Sequence, residues 1–281
     1  MGLYDRDYTR ESAEAGYRYA PQMRMSFPVL TPAVKFLLIA NIGVFLVAVI
    51  FQPLQNFLYG WFQLDATSLV RVLQLWRLIT YQFLHAGFWH IFFNMLGLYF
   101  LGPMLERHWG TQKFLPFYLG CGIAGALFYI FLVAVNFLPA GYLIGASGAI
   151  LGLLAACAIL FPHFVIFIYF LPLPIRVAAL ALIIWYLFVI VSKGVNAGGD
   201  AAHLAGMAAG AAYVWSQPFR SQLKMKIRAS RWQKQMAQHQ KLQIEVDRIL
   251  QKVHDSGLQS LSRREKRELK KATKIEQLSR G

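Results

Sequence analysis

The feature that most constrains this 281-residue sequence is a run of 62 residues, Phe114–Ile175, without any Asp, Glu, Lys or Arg. Soluble domains carry about 25% charged residues on average. A stretch this long without a formal charge is typical of consecutive helices that cross a lipid bilayer. The whole chain agrees, with 57% hydrophobic and 15% charged residues. The sequence therefore predicts an integral membrane protein.

Six segments are candidates for crossing the bilayer, which takes about 20 mostly apolar residues in a helix. Proline, glycine and asparagine residues divide the uncharged run into separate helices. The predicted segments are Val34–Phe51, Trp89–Leu105, Lys113–Val135, Ala146–Leu160, Ile175–Val191 and Ala201–Trp215. Several are short, so we expect some helices to be buried within a bundle. The predicted fold is an all-α, polytopic membrane protein with six transmembrane helices.

The positive charge is concentrated in the C-terminal region. The range Arg220–Arg280 holds 17 Lys and Arg against 6 acidic residues, which is +11 of the net +15. Because Lys and Arg are enriched in cytoplasmic flanks of membrane helices, both termini are predicted to be cytoplasmic. We expect three regions: a polar leader at residues 1–33, a membrane core at 34–217 and a basic tail at 218–281. With six helices and no transit peptide, a bacterial inner membrane is the expected location.

The tail itself carries two helical patterns. Apolar residues recur at helical spacing from Ile244, and Gly257 is expected to end that helix. Ser262 and Glu265 have the spacing of a capping box that opens a second short helix. Two partners remain open for the tail, another protein or an anionic lipid surface, whereas nucleic acid is not expected.

Strongly polar residues occur inside three of the predicted membrane segments. The second segment contains His90 and Asn94, the fourth begins near Ser147, and the sixth contains His203. With both termini cytoplasmic, these three segments all start on the outer side, so the four side chains share one depth. Polar groups within a membrane are costly and indicate function. A hydroxyl, an imidazole and hydrogen-bond donors together are the components of nucleophilic acyl transfer.

With these residues the chain resembles the rhomboid family of intramembrane serine proteases. The matching motifs are His85-x4-His90-x3-Asn94, Gly145-Ala146-Ser147-Gly148, Ala202-His203-x2-Gly206-x3-Gly210 and the Trp76-Arg77 pair. The resemblance implies a six-helix core that hydrolyses peptide bonds of single-pass membrane proteins near the outer face. It also implies a Ser–His dyad that needs no metal and no cofactor. The other function left open is a catalytically silent relative that binds transmembrane helices.

Carried over from the family, Ser147 is the nucleophile and His203 is the general base. His90 and Asn94 would join the backbone N–H of Ser147 in an oxyanion hole, and Gly145, Gly148 and His85 would support the site. The glycine pairs Gly148/Gly152 and Gly206/Gly210 predict close packing of the fourth and sixth helices.

Two features of the sequence bear on how the imidazole of His203 is held. Some family members have an aromatic residue four positions after the serine, but this chain has Leu151 there. Aliphatic packing is therefore expected to hold His203. Assistance from Asp200, one turn earlier, is an alternative that the sequence leaves open.

Overall fold

The structure is a computed structural model that describes residues 28–168 and 171–270. Most of the predicted leader, residues 1–27, lies outside the described residues. The longer helices are α1 (Pro32–Ile50), α2 (Gln52–Phe62), α5 (Phe88–Trp109), α6 (Thr111–Ala134), α7 (Ser147–Leu160), α8 (Ile175–Val191), α9 (Ala197–Trp215) and α10 (Gln217–Ser256). Between α2 and α5 lie the short helices α3 (Leu69–Val72) and α4 (Arg77–Thr80) and a 3-10 turn, Tyr81–Phe83. Two short antiparallel two-stranded sheets complete the membrane region: β1 (Leu64–Asp65) with β2 (Tyr142–Leu143), and β3 (Val165–Ile168) with β4 (Leu171–Pro174).

Each of the six predicted membrane segments coincides with one helix, namely α1, α5, α6, α7, α8 and α9. Among the described residues, α1, α5 and α6 are both long and apolar enough to cross a bilayer by themselves. Helices α7 and α8 are apolar but shorter. The predicted class, a polytopic helical membrane protein, is confirmed.

Helix α7 occupies the centre of the bundle, where it packs against α5, α6 and α8. Ten of its 14 residues are buried, and nearly all of them are small or aliphatic. Its contact with α9 is made through glycines. A Cβ atom added at Gly206 would overlap the carbonyl oxygen of Gly148, and one added at Gly210 would overlap that of Gly152. The close packing predicted for these two helices is therefore confirmed.

Arg77 organises the segment between α2 and α5, although only 2% of its surface is exposed. Its guanidinium donates hydrogen bonds to the carbonyl oxygens of Gln63 at 2.6 Å and Gly60 at 2.7 Å. A third bond reaches Oε1 of Gln74 at 2.6 Å. Because the planar guanidinium presents several donors at fixed angles, one side chain fastens the end of α2 to the start of α4.

The β1–β2 pair connects the segment between α2 and α5 to the loop that precedes α7. Leu64 is paired with Leu143, and the N–H of Ala66 donates to the carbonyl of Gly141 at 2.9 Å. Asp65 lies in β1 and is fully buried. Its burial alone would raise the pKa of the carboxyl, but hydrogen bonds from Thr67 and Arg71 outweigh burial and lower that pKa.

The C-terminal residues from Trp215 onward form a second compact unit. Its main element is α10, which begins at Gln217 rather than at the predicted Ile244. The helix was missed over residues 217–243 because basic residues and glutamines outnumber its apolar residues, which weakens the helical pattern in the sequence. The end of α10 was predicted correctly, since Gly257 follows Ser256 with a φ of +75°.

Beyond Gly257 the chain turns back, and residues 263–270 are helical. The predicted capping box is present: the N–H of Ser262 donates to Glu265 at 2.8 Å, and the N–H of Glu265 donates to Ser262 Oγ at 3.3 Å. Lys252 of α10 donates to the same carboxylate at 3.1 Å. These hydrogen bonds, those from Ser262 first, lower the pKa of Glu265 to about 2.

Candidate active site

Ser147 is the first residue of α7. The loop before it passes through Gly145, whose φ of +114° lies in a region that residues with a Cβ rarely adopt. The N–H of Gly145 donates to the carbonyl of Tyr81 at 2.9 Å, which anchors the loop to the 3-10 turn. The first N–H groups of a helix have no partner within the helix and favour an anion. Ser147 therefore presents its hydroxyl beside a set of free backbone donors.

The hydroxyl of Ser147 contacts the imidazole of His203, with 2.6 Å between Oγ and Nε2. The two residues are 56 positions apart in the chain, one on α7 and the other on α9. Their helices approach this closely because Gly206 and Gly148 bring the two backbones together one turn away. The hydroxyl is thus within hydrogen-bond distance of a base, which is the arrangement that activates a serine.

The second ring nitrogen of His203 faces an acidic side chain. Nδ1 lies 3.2 Å from Oδ1 of Asp200, and the Asp200 side chain is only 8% exposed. The amide of Asn196 donates to the same carboxylate oxygen at 3.2 Å. A carboxylate accepts hydrogen bonds, so this contact favours the tautomer with its proton on Nδ1. Nε2 is then unprotonated and can accept the proton of Ser147.

Tyr186 of α8 packs against the same imidazole. The centroids of the two rings are 5.0 Å apart, with 55° between the ring planes. The expectation that aliphatic residues alone hold His203 is therefore wrong. An aromatic ring is present, but it comes from α8 instead of from position 151 on α7. The signal available in the sequence was a tyrosine within an otherwise apolar segment, and that signal does not identify the partner.

His90 lies beside the loop that leads to Ser147. Its Nδ1 accepts the N–H of Ala86 at 3.4 Å, so the ring proton is assigned to Nε2. A Cβ atom added at Gly145 would lie 2.6 Å from that Nε2. Glycine at position 145 therefore leaves room for His90 to direct an N–H donor at the loop. The structure brings His90, Gly145 and Ser147 together.

Asn94 is one turn further along α5 and is buried. Its amide donates to the carbonyl of His90 at 2.9 Å, which uses one of its two N–H donors. The hydrogen bonds of the described residues join Asn94 to α5 and do not join it to Ser147.

His85 is buried directly behind His90, with 5.0 Å between the ring centroids and 67° between the planes. Its carbonyl accepts a hydrogen bond from the Tyr59 hydroxyl at 2.7 Å. Both ring nitrogens are buried. Burial, assisted by the neighbouring His90, lowers the pKa of His85 to about 4. A neutral His85 ring thus packs against the ring of His90.

Gly148 lies within the site where the backbones of α7 and α9 pack closely together. A Cβ atom there would be 3.4 Å from the carbonyl oxygen of Ala202, and that residue directly precedes His203. Within residues 28–168 and 171–270, His, Cys, Asp and Glu form no group of three or more that could hold a metal ion.

Comparison with known proteins finds two matching families. The Rhomboid domain family matches residues 72–217, just over half of the chain. A family of unknown function, DUF6576, matches residues 232–274 in the second unit.

Three relatives illustrate the similarity. "Rhomboid protein 1, mitochondrial" of Saccharomyces cerevisiae is 34% identical over 165 residues, 53% of this chain and 45% of the yeast protein. "RHOMBOID-like protein 12, mitochondrial" of Arabidopsis thaliana is 31% identical over 195 residues, 64% of this chain and 56% of the plant protein. "Putative rhomboid protease YdcA" of Bacillus subtilis is 42% identical over 78 residues, 28% of this chain and 37% of the relative. The chain spans about half the length of the yeast and plant relatives, and by its Rhomboid domain it belongs to the rhomboid family.

Proposed function

We propose that this chain is an intramembrane serine endopeptidase that cleaves single-pass membrane proteins near the outer face of its membrane. The observation that carries the proposal is the distance of 2.6 Å between Ser147 Oγ and His203 Nε2. A serine hydroxyl is a weak nucleophile until a neighbouring base accepts its proton. Two relatives from Bacillus subtilis are themselves described as rhomboid proteases, one of them putatively.

The first chemical step is attack by Ser147 Oγ on the carbonyl carbon of the scissile peptide bond. As the new C–O bond forms, the hydroxyl proton passes to Nε2 of His203. The imidazolium that results is stabilised by the carboxylate of Asp200 at Nδ1, 3.2 Å away. Asp200 acts through His203 and is therefore a positioning residue, whose place matches the third member of the Ser-His-Asp arrangement.

The negative charge on the carbonyl oxygen needs donors that are already in place. We assign this role to the backbone N–H of Ser147 and to the Nε2–H of His90, which faces Gly145. The second N–H of the Asn94 amide is a further candidate donor, because its first N–H is held by the His90 carbonyl. The neutral ring of His85 would keep His90 in this orientation.

The tetrahedral intermediate then collapses. The peptide C–N bond breaks, His203 returns its proton to the leaving amine, and an ester between Ser147 and the substrate remains. Water, deprotonated by His203, attacks this ester and releases the second product, which restores the Ser147 hydroxyl. The His203 side chain is 17% exposed, which supports access of water to the site.

The substrate class is proposed from the same features. A transmembrane helix hides its carbonyl groups in backbone hydrogen bonds, so a substrate must unwind locally before Ser147 can attack it. Small residues at the cleaved bond are proposed on the family resemblance. The comparisons do not support the predicted location in a bacterial inner membrane. Two relatives are named as mitochondrial, and two come from Bacillus subtilis.

The test is cleavage of a tagged single-pass membrane protein by the full chain reconstituted in liposomes. We expect Ser147→Ala and His203→Ala each to lower the rate by at least about 10⁴-fold, as removal of either partner does in serine proteases. Ser192→Ala is the matched control, because Ser192 is exposed at the end of α8, and its rate should not change. Cleavage that survives either active-site change would exclude the proposed mechanism. Failure of the unaltered chain to cleave any membrane substrate would favour the silent helix-binding relative instead.

A further inference from the structure

The first half of α10 is strongly basic, and the proposed protease mechanism does not involve it. Between Gln217 and Ile244 the sequence contains seven Lys and Arg residues and no Asp or Glu. Acidic residues appear only from Glu245 onward. This part of α10 is therefore a continuous basic helix, whereas the second half is mixed in charge.

The same stretch also carries exposed apolar residues at helical spacing. Met225, Ala229, Trp232 and Met236 follow one another at intervals of four, three and four residues, so they line one face of the helix. Met225 and Trp232 are each 63% exposed and Met236 is 44% exposed. Lys226 and Arg228 flank this face on its two sides, Arg231 lies further round the helix and Lys234 lies on the opposite side, and all four are exposed. The helix is amphipathic, with an uncovered apolar face bordered by positive charge.

The chain connection limits what can cover this face. Helix α9 is the last helix of the membrane region and ends at Trp215, and α10 begins at Gln217. Only Ser216 separates them, so the start of α10 must lie within a few ångströms of the end of a membrane helix. A basic helix that carries Trp and Met on its apolar face, and that directly follows the last helix of the membrane region, has the composition of helices that lie in the lipid interface.

We propose that residues 217–240 of α10 bind the surface of the chain's own membrane where that surface contains anionic lipid. The apolar face formed by Met225, Ala229, Trp232 and Met236 would enter the boundary between headgroups and acyl chains. The basic residues beside it would contact lipid phosphates, whose charge is complementary. The proposal is independent of the protease chemistry at Ser147.

The experiment uses the full chain in nanodiscs, with Cys121 and Cys157 replaced by Ala and one nitroxide spin label added. In one sample the label replaces Met236 on the apolar face, and in a second it replaces Gln238 on the opposite side. Nanodiscs contain either phosphatidylcholine alone or phosphatidylcholine with phosphatidylglycerol. Collision with oxygen and with a water-soluble nickel complex reports how deep each label lies. We expect the label at 236 to be shielded from nickel only in the discs with phosphatidylglycerol, and the label at 238 to stay exposed in both.

Charge-removal variants supply the matched control. The triple change Lys226→Gln, Arg228→Gln and Arg231→Gln should lower the ratio of bound to unbound helix roughly 100-fold. The triple change Arg263→Gln, Lys266→Gln and Arg267→Gln removes the same charge outside the proposed surface and should leave the ratio unchanged. Equal exposure of the label at 236 in both lipid compositions would overturn the proposal. Equal shielding in both, or an equal loss in the two triple variants, would also overturn it.

Discussion

The candidate site depends on how a few individual side chains restrain one imidazole. His203 contacts Ser147 through Nε2 and Asp200 through Nδ1, and Tyr186 packs against its ring. Three elements therefore determine the ring's position: α7, α8 and its own helix. An imidazole fixed on both nitrogens and on one face needs little reorganisation before it accepts a proton.

Asp200 is the residue whose contribution can be separated from that of packing. We predict that Asp200→Ala lowers kcat by roughly 10²–10³-fold, less than removal of the aspartate costs in subtilisin, because Tyr186 still packs on the ring. KM should remain within about twofold, since Asp200 contacts the base and not the substrate. Steady-state cleavage in liposomes measures both constants.

Asp247→Asn is the control for this prediction, because Asp247 is an exposed acid of the tail and its loss should change neither constant. If Asp200→Ala leaves kcat unchanged, the imidazole is held by Tyr186 and packing alone, and the site is a dyad.

At the residue scale the motifs identified Ser147, His203, His90 and Gly145, which the structure brings together. They did not identify Tyr186, because the face that α8 turns toward α9 depends on packing between distant elements. The motifs did not decide whether Asp200 assists His203, because a spacing of three residues permits a contact between the two side chains without requiring one.

At the scale of elements, each of the six segments that hydropathy predicted coincides with a helix of the structure. Hydropathy did not predict the β1–β2 pairing of Leu64 with Leu143, because two residues are too few to show an alternating pattern. The β3–β4 hairpin was also missed, since its prolines Pro172 and Pro174 indicated only a break between helices. Both strand pairs are formed by backbone hydrogen bonds between segments, which side-chain patterns describe poorly.

The contact between α7 and α9 yields a prediction for one glycine. A Cβ atom at Gly210 would overlap the carbonyl oxygen of Gly152, so Gly210→Ala must push the two helices apart. We predict a loss of about 1–3 kcal/mol in the free energy of unfolding, the usual cost of overpacking. Cleavage activity should fall with it, because the same helices position Ser147 and His203. Thermal unfolding in detergent and the cleavage assay measure the two effects.

Gly120→Ala in α6 is the matched control, because a Cβ atom there would meet nothing within 4 Å. Alanine favours a helix over glycine by roughly 0.5–1 kcal/mol, so this variant should be as stable as the unaltered chain or more so. Equal stability of the Gly210 and Gly120 variants would contradict the proposed tight contact.

At the scale of the whole molecule, the chain combines an apolar bundle with a basic tail that holds +11 of its +15 net charge. The cytoplasmic position of both termini remains a prediction from this charge bias. The proposed chemistry does not depend on the position of the termini. It requires only that Ser147 is a nucleophile and that His203 is its base.

The most direct test of that claim is labelling of the full chain in native membranes with a fluorophosphonate, followed by mass spectrometry of the modified peptide. Fluorophosphonates react with activated serines, so the account predicts one adduct, on Ser147. His203→Ala should abolish the adduct, while His163→Ala, which alters an exposed histidine, should leave it intact. An unmodified Ser147, or an adduct that forms at the same rate without His203, would contradict the account.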